Sequence, residues 1–253
     1  MWETNLNPKF TFDTFVVGDS NKLAVVSAHT VAEHPGEIHN PLFLYGKSGI
    51  GKTHLIQAIG NYIKAHSNKR VLYVTSGEYK DDYSTISSIS NSVDKINYAK
   101  QFKNKYQNVD VLIMDDIQYL VEATKTQDEF FNTFNALHQA GKQVIISSDS
   151  SPDDLKKIED RLRSRFMWGL PVDIYPPDFP LRCRIIRSKI KNTTLEDKLT
   201  DEVIEYMASI MKDVYGNPSS MHNKGVEAEK YVVEATKQIA KVLKVNEKEI
   251  FFT

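Results

Sequence analysis

Nine consecutive residues combine types and spacing that can do chemistry. Tyr45-Gly46-Lys47-Ser48-Gly49-Ile50-Gly51-Lys52-Thr53 fits GxxxxGK[ST] at every fixed position. Gly46, Gly49 and Gly51 let the backbone turn sharply and approach an anion with no Cβ in the way. The freed N–H groups and the positive end of a following helix then point at phosphate oxygens. Lys52 supplies a point charge for β- and γ-phosphates, and Thr53 a hydroxyl for Mg²⁺. A glycine-rich turn that merely precedes a lysine is the competing explanation. The flanks argue against it: the apolar run 41–45 reads as a buried strand, and Leu55, Ile56, Ile59, Tyr62 and Ile63 follow at helical spacing.

A second run, residues 108–116, is nearly continuous in apolar residues and ends in Asp115 and Asp116. That pattern suits a strand covered on both faces. If it neighbours the phosphate-loop strand in a parallel sheet, Asp115 holds Mg²⁺ with its water shell and Asp116 polarises an attacking water. Residues 143–149 read as another buried strand, whose polar end either reaches the γ-phosphate or the water, or is a strand ending in turn residues. Arg161 and Arg165 lie one helical turn apart on one face. They are either a solvated pair or, in an NTPase, arginines that serve a neighbouring subunit's γ-phosphate.

The elements that must position these groups follow in order. Residues 4–17 carry Phe10, Phe12 and Phe15 before any regular pattern. They are either a strap on the core or the wall of an adenine pocket formed by Phe15, Val16 and Val17. Residues 20–31 read as a helix capped by Ser20 or Asn21, and 70–75 as a second strand. Residues 76–108 are polar and mostly helical in type. Lys95, Lys100, Lys103 and Lys105 interleave there with Tyr98, Phe102 and Tyr106. Either this is a solvated face or lysines track phosphates while aromatics stack on the bases of a single strand. Residues 127–140 form an amphipathic helix around Phe130, Phe131, Phe134 and Leu137, stopped by Gly141. Residues 168–175 read as a last strand, and Asp178 caps the helix after it.

Bulk composition narrows the class. The 253 residues accommodate one large domain or one domain with an appendage. A net charge of −1 gives no global basic field. The single cysteine, Cys183, allows no internal disulfide and fits a reducing compartment. No apolar run approaches the roughly 20 residues that span a bilayer, and residues 1–15 lack the apolar core of a signal peptide. A cytoplasmic protein is expected. His34 and His39 flank Pro35-Gly36 without further ligands nearby, so no metal cluster is expected of the histidines.

These motifs together resemble the AAA+ domain of the bacterial chromosomal replication initiator (DnaA) family, over roughly residues 5–200. The likeness is carried by residues 7–18, the phosphate loop followed by His54, the run 109–119, Glu129-Phe130-Phe131 with residues 134–138, the segment 146–149, and residues 160–166 with Trp168-Gly169-Leu170. It implies an α/β P-loop fold, a parallel sheet flanked by helices with a short, mainly helical C-terminal appendage. It implies ATP held at Gly46, Gly49, Gly51, Lys52 and Thr53, Mg²⁺ and water at Asp115 and Asp116, and sensing around Asp149. Arg165 would act in trans across a nucleotide-dependent oligomer, with Arg161 as the other inter-subunit arginine. The insert 76–108 would touch single-stranded origin DNA through Lys103 and Lys105. Lys103 stands where the family usually has arginine, which keeps the charge but loses the planar fork.

After about residue 195 the expectation changes. No lid sensor-arginine motif and no helix-turn-helix motif is found, so no sequence-specific duplex reading is expected. Residues 214–222, 226–245 and 249–253 instead resemble the start of a PLP-dependent cysteine desulfurase, with a junction between 195 and 214. That piece lacks the Schiff-base lysine and could carry no PLP chemistry. The expected division is therefore 1–195, an initiator-like nucleotide-binding domain, and 196–253, a truncated desulfurase-like segment. The expected activity is slow ATP hydrolysis if the missing lid permits it. An ATP-binding module without turnover or assembly, or a non-functional chimeric product, are the alternatives.

Overall fold

A computed structural model describes residues 5–194, 196, 199–213, 229–237, 240 and 246. By compactness the chain falls into two units, Met1–Pro177 and Asp178–Thr253.

The first unit is built on five parallel strands: β1 (Leu42–Tyr45), β2 (Val71–Thr75), β3 (Val111–Asp115), β4 (Gln143–Ser148) and β5 (Leu170–Asp173). Their spatial order is β2-β3-β4-β1-β5. The expected parallel sheet is present, but β1 and β3 are not neighbours, because β4 lies between them. Every residue of β3 and β4 is buried, as strands covered on both faces require.

Alternation along the strands sorts side chains into two cores. On one face Leu42, Leu44, Val71, Tyr73, Val111, Ile113 and Ile145 pack with α1 (Lys22–Glu33) and α2 (Lys52–His66). On the other, Phe43, Leu72, Leu112, Met114 and Ile146 pack with α3 (Ser76–Ser88), α4 (Ser92–Gln107), α5 (Thr124–Gln139) and α6 (Asp160–Phe166). Single 3₁₀ turns, Ile117–Leu120 and Pro152–Asp154, follow β3 and β4. Local chemistry sets the helix starts. Thr75 and Glu78 form a reciprocal capping box on α3, and the Asn91 carboxamide accepts the Val93 and Asp94 N–H groups at the head of α4.

In the second unit α7 (Phe179–Ile190) starts where Asp178 Oδ1 accepts the Leu181 N–H at 2.8 Å. It packs on α8 (Asp201–Asp213) through Cys183, Ile186, Ile204 and Ala208. The buried Arg182 guanidinium donates to the Ala208 carbonyl at 2.6 Å. Residues 229–237 are helical. The sequence expectations for 214–222 and 249–253 lie outside the described residues, as does half of 226–245. Among the described residues no helix is long and apolar enough to cross a membrane.

Candidate functional site

β1 ends at Tyr45, the glycine-rich turn follows, and α2 begins at Lys52. Gly46 has φ 144°, and a Cβ there would lie 2.4 Å from the Ile174 carbonyl oxygen. Gly51, at φ 100°, would place a Cβ 3.0 Å from the Phe15 ring. Both positions therefore need a residue without a side chain. Lys52 is 6% exposed. Its Nζ donates to the carbonyls of Gly46 at 2.7 Å and Lys47 at 3.0 Å. Burial pushes the ammonium below the usual lysine range, while the carboxylates of Asp116, Asp115 and Asp149 pull it back up.

Although β4 separates the two strands, Thr53, in the first turn of α2, reaches the end of β3. The Thr53 hydroxyl donates to Asp115 Oδ2 at 2.9 Å. The same oxygen accepts the Tyr73 hydroxyl at 2.8 Å, and Oδ1 accepts Ser147 Oγ. Asp115 is 2% exposed. Asp116 adopts left-handed backbone, φ 55° and ψ 56°, a conformation that aspartate tolerates better than most residues. Its N–H donates to Ser147 Oγ at 2.9 Å, its carbonyl accepts Ser76 Oγ, and its Oδ1 accepts the Gln118 amide at 3.0 Å. Gln118 Oε1 in turn accepts the Asp149 N–H at 3.3 Å. The structure thus joins Thr53, Asp115, Asp116 and Asp149, and adds Tyr73, Ser147 and Gln118, which sequence reasoning did not single out. Tyr73 was hidden as one more apolar-type residue in β2, while Ser147 lay within a segment read only for its end. Thr53 and Asp115 are hard oxygen donors of the kind Mg²⁺ takes alongside phosphate oxygens. Among the described residues no cluster of three His, Cys, Asp or Glu side chains could hold a metal on its own.

The strap before α1 is anchored rather than loose. The Asn7 N–H donates to Gln57 Oε1 at 2.8 Å, and the Val16 carbonyl accepts the Asn21 amide at 3.0 Å. The Phe15 ring meets His54 edge-on at 5.1 Å between centroids. Val16 is half-buried and Val17 is 40% exposed. A cavity of about 340 Å³ opens beside the loop, lined by Tyr45, Gly46, Lys47, Asp149, Asp173 and Tyr175 among others.

The two arginines share one face of α6, as expected, stacked over the Phe131 ring at 4.6 Å for Arg161 and 5.3 Å for Arg165. Arg161 is paired with Glu159 and Asp128. Arg165 lies over the Trp168 ring at 3.7 Å and donates to Asn135 Oδ1 at 2.9 Å. The chain runs from Arg165 through Trp168 into the start of β5, where Leu170 is in register with Leu42. That is the amino-terminal edge of the sheet, whereas the phosphate loop leaves the carboxyl-terminal edge. On α4, Lys103 and Lys105 are exposed, and Lys105 is bound to Asp82 at 2.5 Å. The notion of Phe102 and Tyr106 as base-stacking groups is corrected. They are 4% and 0% exposed, packed edge-on and tilted against Tyr79 and each other. α4 has only these two buried residues to hold it down, so the core claims them.

The description "Bacterial DnaA ATPase domain" matches residues 6–173. The chain belongs to this family. The DnaA protein of Caldanaerobacter subterraneus subsp. tengcongensis is 48% identical over 206 residues, which is 81% of this chain and 44% of that protein. The chain therefore spans less than half the length of that curated relative. The crystal structure of domain III of Thermotoga maritima DnaA superposes with a TM-score of 0.73 at 42% identity, covering 83% of this chain and 84% of its own. A DnaA structure bound to AMPPCP and single-stranded DNA superposes at 0.72 with 33% identity, covering 96% of this chain and 76% of its own.

That coverage overturns the expected desulfurase-like segment and the chimeric C-terminus. The DnaA likeness does not stop between 195 and 214, and the C-terminal helices belong to the DnaA fold itself. The physical reason for the misreading is that an apolar stripe at helical spacing, such as that read over residues 226–245, is common to many families and identifies none.

Proposed function

We propose that this chain is the ATP-binding, slowly hydrolysing AAA+ module of a replication initiator, which assembles on itself in a nucleotide-dependent way and contacts single-stranded DNA. The observation that carries the reading is the 2.9 Å bond from the Thr53 hydroxyl to Asp115, because it joins the phosphate loop to the acid-bearing strand. Gly46, Gly49, Gly51, Lys52 and Thr53 hold the phosphates, and Val16 and Val17 flank the adenine. Thr53 and Asp115 would hold Mg²⁺, which would supply positive charge to offset that of the phosphates. Asp116 orients the water and Asp149 reads the γ-phosphate. Arg165 acts on a neighbouring copy's nucleotide, with Arg161 at the same subunit boundary. Lys103 and Lys105 meet the phosphates of the strand. The DnaA structure that holds AMPPCP and single-stranded DNA supports the nucleotide and the single strand as ligands. The setting is the cytoplasm.

The test is retention and turnover of labelled ATP by the purified chain. Asp116→Ala should retain nucleotide and lose turnover by about 100-fold or more, the range a positioned acid–base group supplies. Parental turnover in that variant, or a parent that never retains ATP, refutes the reading.

A further inference from the structure

Asp115 is buried at the end of β3, and the proposed function leaves open what orients its carboxylate. A buried carboxylate is costly unless its oxygens are well bonded, and its three partners are all neutral hydroxyls, from Thr53, Tyr73 and Ser147. They come from three directions. Ser147 belongs to β4 on one side of β3. Tyr73 belongs to β2 on the other, two residues before Thr75, which is in register with Asp115. Thr53 comes from α2 above.

We propose that Tyr73 is a positioning residue, whose hydroxyl, together with that of Ser147, fixes the Asp115 carboxylate so that it aims Thr53 at the cation. The proposal rests on the Mg²⁺–ATP reading above. A threonine hydroxyl that gives its proton to Asp115 keeps its lone pairs turned outward, toward a metal. The direction of that proton depends on where Oδ2 stands. Tyr73 holds Oδ2 and Ser147 holds Oδ1, so the carboxylate cannot rotate without breaking a bond on one side. Ser147 also accepts the Asp116 N–H at 2.9 Å, which fixes the second acid in the same frame. Tyr73 is itself braced. The Gln57 side chain lies beside its hydroxyl and accepts the Asn7 N–H at 2.8 Å. None of these groups touches the nucleotide or the metal in this scheme. They act through Asp115, as outer partners of metal ligands do.

The experiment measures ATP retention by the full chain against Mg²⁺ concentration, and again with EDTA. Tyr73→Phe keeps the ring and deletes only the hydroxyl. Its Mg²⁺ midpoint should rise about tenfold or more, the low end for loss of an outer partner, with retention in EDTA unchanged. Ser147→Ala should shift the midpoint the same way and Ser147→Thr should restore it, which keeps the idea testable if Tyr73→Phe folds poorly. Tyr79→Phe is the control: it deletes another buried hydroxyl, bonded to Thr133 at 3.1 Å rather than to either acid. A parental midpoint in both Tyr73→Phe and Ser147→Ala, or an equal shift in Tyr79→Phe, overturns the proposal alone. A parent whose retention ignores Mg²⁺ overturns the Mg²⁺–ATP reading as well.

Discussion

Gly46 carries the tightest steric demand in the phosphate loop. A methyl group there meets the Ile174 carbonyl oxygen at 2.4 Å and Ile50 Cδ1 at 2.6 Å, with φ at 144°. Gly49 has φ 80° but open space around it. Gly46→Ala should therefore lose about 1–3 kcal/mol, the usual cost of forced backbone strain, and Gly49→Ala less. Urea midpoints at constant slope measure both, and equal losses would contradict the steric account. Residues of this kind were legible in the sequence because the loop demands fixed types at fixed spacing. Tyr73 and Ser147 were not. A tyrosine inside an apolar strand looks like packing until the neighbouring strand is known, and hydroxyl-to-carboxylate bonds across a sheet leave no local pattern.

At the level of elements, α4 shows how one helix serves two purposes. Phe102 and Tyr106 are buried, while Lys95, Lys100, Lys103 and Lys105 are exposed. Phe102→Ala should cost about 3–5 kcal/mol, as aromatic deletions from cores do. Lys103→Ala should leave the melt unchanged, weaken binding of a single-stranded oligonucleotide, and make the log–log salt slope shallower by about 0.7, one phosphate's share. Melts and binding titrations at several salt concentrations separate the two, and a Lys103 variant with the parental slope removes that residue from the contact. The helix was readable as polar and helical, but not which aromatics faced inward, since two buried positions in sixteen residues make a weak stripe. The strands were readable as apolar runs. Their order was not, because runs buried on both faces carry no mark of which neighbour they prefer.

For the molecule as a whole, the decisive geometry is that α6, with Arg165, leads into the start of β5, whereas the phosphate loop follows the end of β1. Under the proposed function, a second copy must supply the arginine. Arg165→Ala should retain ATP yet lose ATP-dependent growth in particle size by light scattering. Equal assembly of parent and variant would count against the trans role. The helical region beyond residue 177 was the part least legible in sequence. Amphipathic stretches such as residues 226–245 satisfy the patterns of many folds, and the likeness to a second family misled the division there.

The strand order has a consequence for synthesis on the ribosome. The phosphate loop emerges early, but the carboxylate it must meet is held across β4 by Ser147. A nascent polypeptide released from the exit tunnel only as far as Asp115 has both halves of the cradle but not the strand that lies between β1 and β3. Affinity for nucleotide should switch on abruptly, when Ser148 clears the tunnel and the central strand slots into place.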